Sequence, residues 1–243
     1  LTFPIADARK TGFLFPSLGF GGDAGFRFVA PYYWNIAPNQ DATLTADYMA
    51  DRGTLLRSEY RYIGAIQPGE FGGRVGAEII TRDKEFGGSR YGASLLHEQQ
   101  LSEHWRAQLD VGYVSDRDYL DDFGDTLGAE SADHVPQVIE AQYENSDQFL
   151  VGDDFTFGVL FSDYQIIDPM IDVKDEPYAR LPEISLAWSA KLFDDIIESE
   201  FESAWTNFEH PVDSKITGDR INMRPRLGIN ADKEYGFFRP QLE

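Results

Sequence analysis

Cysteine is absent from this sequence of 243 residues. Without thiols the chain has no disulfide framework and no thiolate metal site. Long apolar runs are missing too, because none approaches the roughly 18 residues that a membrane-spanning helix requires. This excludes a helical membrane protein but leaves open a membrane β-barrel, in which each strand gives only a weak sequence signal.

Positive charge is scarce in this chain. Lys and Arg number 21 against 42 Asp and Glu, which gives a formal net charge of −21 at pH 7. No basic stripe is available to displace the counterions of a phosphate backbone, so we do not expect nucleic acid as a partner. The acidic residues lie in clusters along the chain rather than in one tail, a distribution typical of solvated loops.

Catalytic signatures are missing as well. The four histidines show neither HxH nor HExxH spacing, and no serine lies in a GxSxG elbow. The glycine-rich stretch 19–25 lacks the lysine and the following helix of a phosphate-binding loop. The sequence therefore predicts no enzyme, no catalytic residue, no cofactor and no metal site. The histidines are His97, His104, His134 and His210.

Neighbouring carboxylates are numerous, but chance pairs are expected among so many acids, even at the spacing a glycosidase needs. Asp116 and Asp118 do not begin an EF-hand loop, because Leu120 stands where a third ligand is expected and no glycine follows at the sixth position. We interpret the acids as loop solvation and turn capping, and weak attraction of divalent cations by loop 116–133 stays open. The groups are Asp116/Asp118, Asp121/Asp122, Asp153/Asp154, Asp194/Asp195 and Glu198/Glu200/Glu202.

Alternation of apolar and polar residues is what the chain has in abundance. This period of two predicts β-strands, and it recurs about a dozen times with no helix of convincing length between. Aromatic residues, 14% of the chain, recur near the predicted strand ends, as in the interfacial girdles of membrane barrels. The clearest segment has Ala42, Leu44, Ala46 and Tyr48 on one face and Asp41, Thr43, Thr45 and Asp47 on the other.

Alternation alone fits either a β-sandwich with dry inner faces or a barrel whose apolar face meets lipid. Two features favour the barrel: the polar faces carry charges of both signs, and the predicted connections alternate in length. We expect an all-β, antiparallel transmembrane β-barrel, present as roughly a dozen strands of a larger barrel. Short connections are predicted at 35–40, 66–71, 101–104, 145–148 and 194–195, and longer ones at 81–90, 116–136, 168–181 and 211–219.

The stretch Gly12–Asn39 predicts two strands joined by a tight turn between Gly22 and Gly25. Pairing these two glycines puts Pro16 opposite Pro31. Because proline lacks the N–H that a sheet ladder needs, facing prolines would leave the middle of the hairpin poorly hydrogen-bonded. This register predicts one face with Phe13, Phe15, Phe26, Phe28, Ala30, Tyr32 and Trp34, and another with Leu14, Pro16, Leu18, Val29, Pro31 and Tyr33.

Three stretches carry a resemblance to a known family. The first runs from GFLFP through PYYWNIAPN to the YM-x-x-RG pattern that ends at Gly53. The second is VSDRDYLDDF at Val114–Phe123, and the third is PYARLPEI at Pro177–Ile184. In residue type and in their order along the chain, these stretches resemble landmarks of the LptD (OstA/Imp) family of outer-membrane lipopolysaccharide-assembly proteins. The resemblance covers nearly the whole chain. Its signature residues are Tyr32, Tyr33, Trp34, Asn35, Pro38, Asn39, Arg52 and Gly53.

The resemblance implies that the chain helps insert lipopolysaccharide into the outer leaflet of a Gram-negative outer membrane, through a weak lateral seam at the first barrel strand. It implies contact with outer-membrane lipid, an LptE-type lipoprotein plug in the barrel, and an LptA-type periplasmic bridge that docks on an N-terminal domain outside this chain. Residues 1–10 would end a preceding periplasmic β-domain, and 11–243 would be the N-terminal portion of the barrel, so we expect a piece of a longer precursor. The implied seam residues are Pro16, Pro31, Phe15 and Tyr32.

The implied substrate is anionic, whereas this chain is strongly acidic. Arginines on the predicted luminal face could offset that charge locally, or divalent cations could bridge substrate and wall. Two other functions stay open: an outer-membrane pore for small solutes, which needs no seam, and a soluble secreted β-sandwich that binds polysaccharide. The luminal arginines are Arg57, Arg61, Arg74 and Arg106, with Arg220, Arg224 and Arg226 as further candidates.

Overall fold

The computed structural model describes residues 9–67, 69–123, 134–146, 154–193, 196–229, 231–233, 236–238 and 241–242. Most of these residues form β-strands, and their helical structure consists of α1 (Tyr119–Phe123) and two 3-10 turns at Gly22–Ala24 and Val173–Asp175. None of the helices in these ranges is long and apolar enough to cross a membrane. The strands are β1 (Gly12–Phe13), β2 (Ser17–Phe20), β3 (Phe26–Ala37), β4 (Gln40–Met49), β5 (Gly53–Ile66), β6 (Gly69–Asp83), β7 (Gly88–Gln100), β8 (Trp105–Val114), β9 (His134–Asn145), β10 (Asp154–Ile166), β11 (Ala179–Leu192), β12 (Ile197–Glu209), β13 (Gly218–Ile229), β14 (Ala231–Lys233), β15 (Gly236–Phe238) and β16 (Gln241–Leu242).

Strands β3 to β13 lie side by side in the order in which they occur along the chain. The same sheet begins with β1, which pairs with β3 as β2 also does, and it ends with β16 beside β13, while β14 and β15 form a separate two-stranded sheet. The prediction of an all-β, antiparallel fold with roughly a dozen strands is confirmed. Within the described residues the sheet has two margins and is not closed, which agrees with part of a larger barrel.

The chain divides into two compact units. The first comprises Leu1–Glu98, Leu109–Gln137 and Gln165–Ile171, and the second comprises Gln99–Gln108, Val138–Tyr164 and Asp172–Glu243.

The apolar core of the first unit forms where α1 packs on the sheet. Leu55 on β5 and Ile80 on β6 are directly paired, and they share the sheet face of the charged residues Arg57 and Glu78. The side chains of α1 cover this end of the polar face and seal it from water. The buried cluster is Met49, Leu55, Ile80, Val114, Tyr119, Leu120, Phe123, Val135 and Ile167.

The exposed face of the first unit is apolar. Leu44 and Tyr48 on β4 are exposed, whereas Asp41 and Asp47 on the opposite face are buried. This is the reverse of a water-soluble sheet and suits a wall whose apolar side meets lipid. A soluble sandwich would seal the first hairpin under a second sheet, but Phe13 is 77% exposed and is therefore not sealed.

The second unit repeats the same alternation in β11, β12 and β13. Trp205 on β12 pairs with Ile184 on one side and Ile221 on the other. The intervening residues are charged, and Glu202 faces Arg224 just as Glu200 faces Arg226. The apolar and charged residues of these strands therefore lie in separate rows on opposite faces of the sheet.

One predicted long connection is wrong. The stretch 81–90 was expected to be a loop, but β6 continues to Asp83 and β7 begins at Gly88. The carboxylate of Asp83 accepts hydrogen bonds from the backbone N–H groups of Glu85 and Phe86, at 3.0 and 3.3 Å, which closes a tight turn. The other predicted connections within the described residues match gaps between strands, whereas 66–71, 116–136, 145–148 and 194–195 lie wholly or partly outside those residues.

The register of the first hairpin also differs from the prediction. Ser17 pairs with Val29, and Gly12 pairs with Tyr33. Gly12 and Ser17 are five residues apart, whereas their partners Tyr33 and Val29 are only four residues apart. The first segment therefore carries one extra residue, as a β-bulge does. The prolines consequently do not face each other, because the backbone N–H of Leu14 donates to the carbonyl of Pro31 at 2.9 Å.

Gly53 is a position where the backbone requires glycine. Its φ of +143° is unfavourable for a side-chain-bearing residue, and a Cβ would lie 2.7 Å from the carbonyl oxygen of Arg82. We predict that Gly53→Ala lowers the free energy of unfolding by about 2 kcal/mol or more. Thermal unfolding followed by loss of the β-sheet circular dichroism signal measures this change.

Two matched glycines separate the causes of that loss. Gly87 has φ +83° but open space where its Cβ would lie, and Gly19 has neither positive φ nor close neighbours. Gly87→Ala should cost about 1 kcal/mol from backbone strain alone, and Gly19→Ala should cost less still. Equal losses in all three variants would contradict the contact with Arg82.

Candidate functional site

The margin of the sheet at β1 and β2 is held more weakly than its neighbours. β1 contributes two paired residues and β2 four, and residues 14–16 between them belong to no strand. On the other side of β3, an unbroken ladder joins Arg27–Asn35 to β4. Fewer hydrogen bonds must therefore break to move the edge segment than to separate β3 from β4.

Pro31 explains part of this asymmetry. On an antiparallel strand the N–H and C=O of one residue point to the same side. Since the Pro31 carbonyl accepts from Leu14, its missing N–H also lies on the side of the edge segment. The pairing of Pro31 with Thr45 on β4 remains in register. Pro16 lies in the break between β1 and β2. Both prolines therefore weaken the pairing of the edge segment with β3, although they do not face each other.

Exposed aromatic residues cover the apolar face of this margin. The Phe13 and Tyr32 rings meet edge to face with centroids 5.1 Å apart, and those of Phe20 and Phe26 lie 4.9 Å apart. Phe15 lies in the break and is 72% exposed. Leu18 was predicted on the opposite face, but it pairs with Phe28. The shift caused by the bulge moves Leu18 into the aromatic row.

Several signature residues hold the short connections between strands and the residues just before β1. The backbone N–H of Asn35 donates to Thr11 Oγ1 at 3.0 Å, and its Nδ2 donates to the Arg9 carbonyl at 3.1 Å. Its side-chain oxygen accepts no hydrogen bond from the part of the chain that the structure describes. Asn39, which follows Pro38 in the turn between β3 and β4, donates from Nδ2 to the Ile63 carbonyl at 2.8 Å. On opposite faces of β3, Trp34 is exposed and Tyr33 donates to Asp41.

A buried arginine clamp holds α1 in place. Arg52, in the turn before β5, contacts Asp83 at 3.2 Å and Asp122 at 2.6 Å. Arg90 on β7 is fully buried, lies 2.6 Å from Asp116, and also bonds Asp83 and Asp122. Two guanidiniums thus connect the β6–β7 turn to the segment that contains α1, which accounts for the signature residue Arg52.

Aromatic rings complete the clamp. The Phe123 ring lies 4.8 Å from the Arg90 guanidinium and 5.5 Å from that of Arg52, within cation–π range. The hydroxyl of Tyr119 donates to Glu78 at 3.0 Å. The acids of this segment were interpreted as solvated, and for Asp116 and Asp122 that interpretation is wrong because both bind arginine. Within the described residues no cluster of potential metal ligands is found.

The predicted luminal arginines are mostly paired with the protein's own carboxylates. Arg57 lies 2.9 Å from Asp47 and 3.7 Å from Glu78. Arg106 is exposed and forms no salt bridge within the described ranges. The remaining contacts are Arg61 with Asp41 at 2.8 Å, Arg74 with Glu59 at 3.9 Å, Arg224 with Glu202 at 3.9 Å, Arg226 with Glu200 at 3.2 Å, and Arg220 over the Phe208 ring at 4.8 Å.

An exposed apolar face, a polar face of paired charges and a weakly held edge strand define a wall segment of a transmembrane β-barrel. The family model LptD, described as LPS transport system D, matches residues 88–243. The chain belongs to the LptD family, and the resemblance seen in its motifs is confirmed.

Curated relatives extend the similarity over the rest of the chain. A protein of Hahella chejuensis is 34% identical over all of this chain and 31% of its own length. One of Nitrosospira multiformis is 32% identical over all of this chain and 25% of its own length, and one of Aliivibrio fischeri is 33% identical over 94% and 28%. All three are named LPS-assembly protein LptD. The chain thus spans about a quarter to a third of the length of these relatives.

The clamp should open in acid. Burial alone would raise the pKa of the Asp122 carboxyl, but hydrogen bonds from Arg52 and Arg90 outweigh burial and lower that pKa below its usual 3.8. The contribution of Asp122 to stability is therefore complete above pH 3.8 and is lost as the pH falls through the lowered pKa. We predict that pepsin cleavage at residues 119–123, normalised to the denatured protein, rises steeply only below pH 3.8.

Asparagine variants test the same clamp at neutral pH. Asp122→Asn leaves two buried guanidiniums with one counterion fewer, and we expect a cost of about 2 kcal/mol and faster proteolysis of the segment. Asp121→Asn is the matched control, because Asp121 is exposed and makes no salt bridge in the described part of the chain. Equal protection in both variants would contradict the clamp.

Proposed function

We propose that this chain forms the N-terminal part of the barrel of a lipopolysaccharide translocon, residues 11–243, in the outer membrane of a Gram-negative bacterium. Membership of the LptD family supports this location and a role in lipopolysaccharide transport rather than in catalysis. Residues 1–10 end a preceding periplasmic β-domain in this proposal, although residues 1–8 lie outside the described ranges.

The weakly held edge formed by β1 and β2 carries the proposal. Lipopolysaccharide has a sugar head that requires water and acyl chains that require hydrocarbon. The polar face suits the head, the exposed aromatic face suits the chains, and an edge that opens at low cost lets one molecule occupy both. The seam residues in this mechanism are Pro16, Pro31, Phe15 and Tyr32.

Two protein partners belong to the proposal. An LptE-type lipoprotein occupies the barrel interior, and an LptA-type periplasmic bridge delivers substrate through a domain N-terminal to this chain. Their support is membership of the family. Outer-membrane lipid is the remaining contact, along the exposed apolar face.

A disulfide across the seam should stop transport. Leu18 and Phe28 are direct partners between β2 and β3, so Leu18→Cys with Phe28→Cys can tie the edge segment to the wall. In cells that carry these changes in the full-length protein, we expect newly made lipopolysaccharide at the cell surface to fall at least tenfold. Reductant should restore it.

The matched control crosslinks β3 to β4, which an unbroken ladder of backbone hydrogen bonds already joins. Ala30 on β3 faces Ala46 on β4, so a cysteine pair at these positions should leave export unchanged. Normal export with the β2–β3 bond fully formed would refute the seam. A pore for small solutes would conduct equally with either disulfide.

Pro31→Ala should tighten the seam without any crosslink. Alanine restores an N–H on the side of the edge segment, where the Leu14 carbonyl can accept it, and one added hydrogen bond contributes about 1 kcal/mol. We expect export to slow several-fold and amide exchange in residues 12–20 to slow with it. Pro136→Ala in β9, which lies between two neighbouring strands, should change neither rate.

A further inference from the structure

Two arginines of the polar face lie directly opposite each other. Arg61 on β5 and Arg74 on β6 are partners in the antiparallel register. Like charges that face each other across a strand pair destabilise a sheet, whereas Glu200 and Arg226 in the second unit have opposite signs. The arginine pair therefore requires negative charge close to it.

Arg61 is held by Asp41, which forms no salt bridge with Arg74 in the described part of the chain. Its Nε and Nη2 donate to Asp41 at 2.8 and 3.1 Å. Asp41 is buried and also accepts bonds from Arg9 Nη1 at 3.3 Å and from the Tyr33 hydroxyl at 3.2 Å. These bonds fix the position of the Arg61 guanidinium.

The positive charge of Arg74 is compensated much more weakly than that of Arg61. Its Nη1 lies 3.9 Å from Glu59 Oε2, too far for a hydrogen bond, and Glu59 also lies 3.6 Å from Arg61 Nε. Glu59 is the only carboxylate within 4 Å of Arg74 in the described part of the chain. One exposed acid is thus shared between two cations.

The resulting group carries an excess of positive charge within a very acidic chain. Arg9, Arg61 and Arg74 supply three positive charges, against two negative charges from Asp41 and Glu59. Side chains of the opposed pair reach solvent, since Arg61 is 53% exposed and Arg74 is 35% exposed. Arg57, on the same face, is only 19% exposed and lies between two buried carboxylates.

We propose that Arg61 and Arg74 form a binding site for the phosphate groups on the sugar head of lipopolysaccharide, an inference that rests on the proposed function. Adjacent guanidiniums present parallel N–H donors that match the oxygens of a phosphate. The phosphate removes the repulsion between the two arginines and replaces the long contact with Glu59.

The position of the site fits the early part of the transport path. Asp41 and Arg61 lie near the short connections that join β3 to β4 and β5 to β6. Short connections of outer-membrane barrels face the periplasm, which is the side from which lipopolysaccharide comes. The arginine pair would therefore contact the head group as it enters the interior.

Photocrosslinking in the full-length protein tests the site. Thr43 is the direct partner of Glu59, so a photoreactive amino acid at position 43 reports on a head group bound there. The probes are purified lipopolysaccharide and the same material after chemical removal of its phosphates. We expect intact substrate to crosslink about threefold to tenfold more strongly than the dephosphorylated form.

Two substitutions should move that ratio in opposite directions. Arg74→Gln should reduce the yield with intact substrate about threefold to tenfold and leave the dephosphorylated substrate unchanged, and Glu59→Gln should raise the yield with intact substrate. Arg226→Gln is the control, because it removes the same charge from a half-exposed arginine that already faces Glu200. It should have no effect.

The outcomes separate the site from the function. If Arg74→Gln and Arg226→Gln behave alike while the unsubstituted protein crosslinks intact lipopolysaccharide, the phosphate site is refuted and the proposed function stands. If Glu59→Gln lowers the yield, the site is refuted as well. If neither form of the substrate crosslinks in the unsubstituted protein, both proposals are contradicted.

Discussion

Pairing of arginine with carboxylate across neighbouring strands is the interaction on which the first unit depends. Its sheet exposes apolar residues on one face, so its charges are confined to the other, where burial would be costly without partners. Asp47, fully buried, is neutralised by Arg27 and Arg57. In the arginine clamp, further pairs of this kind fix α1 against the sheet. Arginine–carboxylate pairs therefore stabilise both the wall and the segment that covers one end of it.

The edge segment lies outside this stabilisation. Ion pairs hold β3 to β4 and β4 to β5, as between Arg27 and Asp47 or between Arg61 and Asp41, whereas the described contacts of β1 and β2 with β3 are backbone bonds and exposed aromatic rings. The interactions that hold β1 and β2 to β3 thus differ in kind, as well as in number, from those that hold β3 to β4. A lateral opening at this margin is compatible with a rigid sheet beside it.

Much of the fold follows from local pattern. Period-two alternation was sufficient to predict the strands, because each side chain's face depends only on its neighbours in the chain. The register of the first hairpin could not be predicted in the same way, since the extra residue at 14–16 shifts Leu18 without any change in the apolar pattern. Stretch 81–90 has the glycine and charge content of a loop, but hydrogen bonds to the Asp83 carboxylate and carbonyl close it into a tight turn.

The candidate sites were less accessible to sequence reasoning. Arg61 and Arg74 were both predicted on the luminal face, but their direct opposition depends on the pairing of β5 with β6. Asp116 and Asp122 were noted as members of acidic pairs and of the family landmark at 114–123, although the apolar spacing of Tyr119, Leu120 and Phe123 is a signal that this segment folds back onto a core. Their arginine partners lie 26 to 70 residues away, a distance that no local pattern spans.

The one-sided effect of Pro31 has a mechanical consequence. A sideways load on the first segment would be borne by few backbone bonds, whereas the same load on β4 would be shared along a full ladder with its ion pairs. Under tension the sheet would therefore tear along a single predetermined line, between β3 and the segment before it.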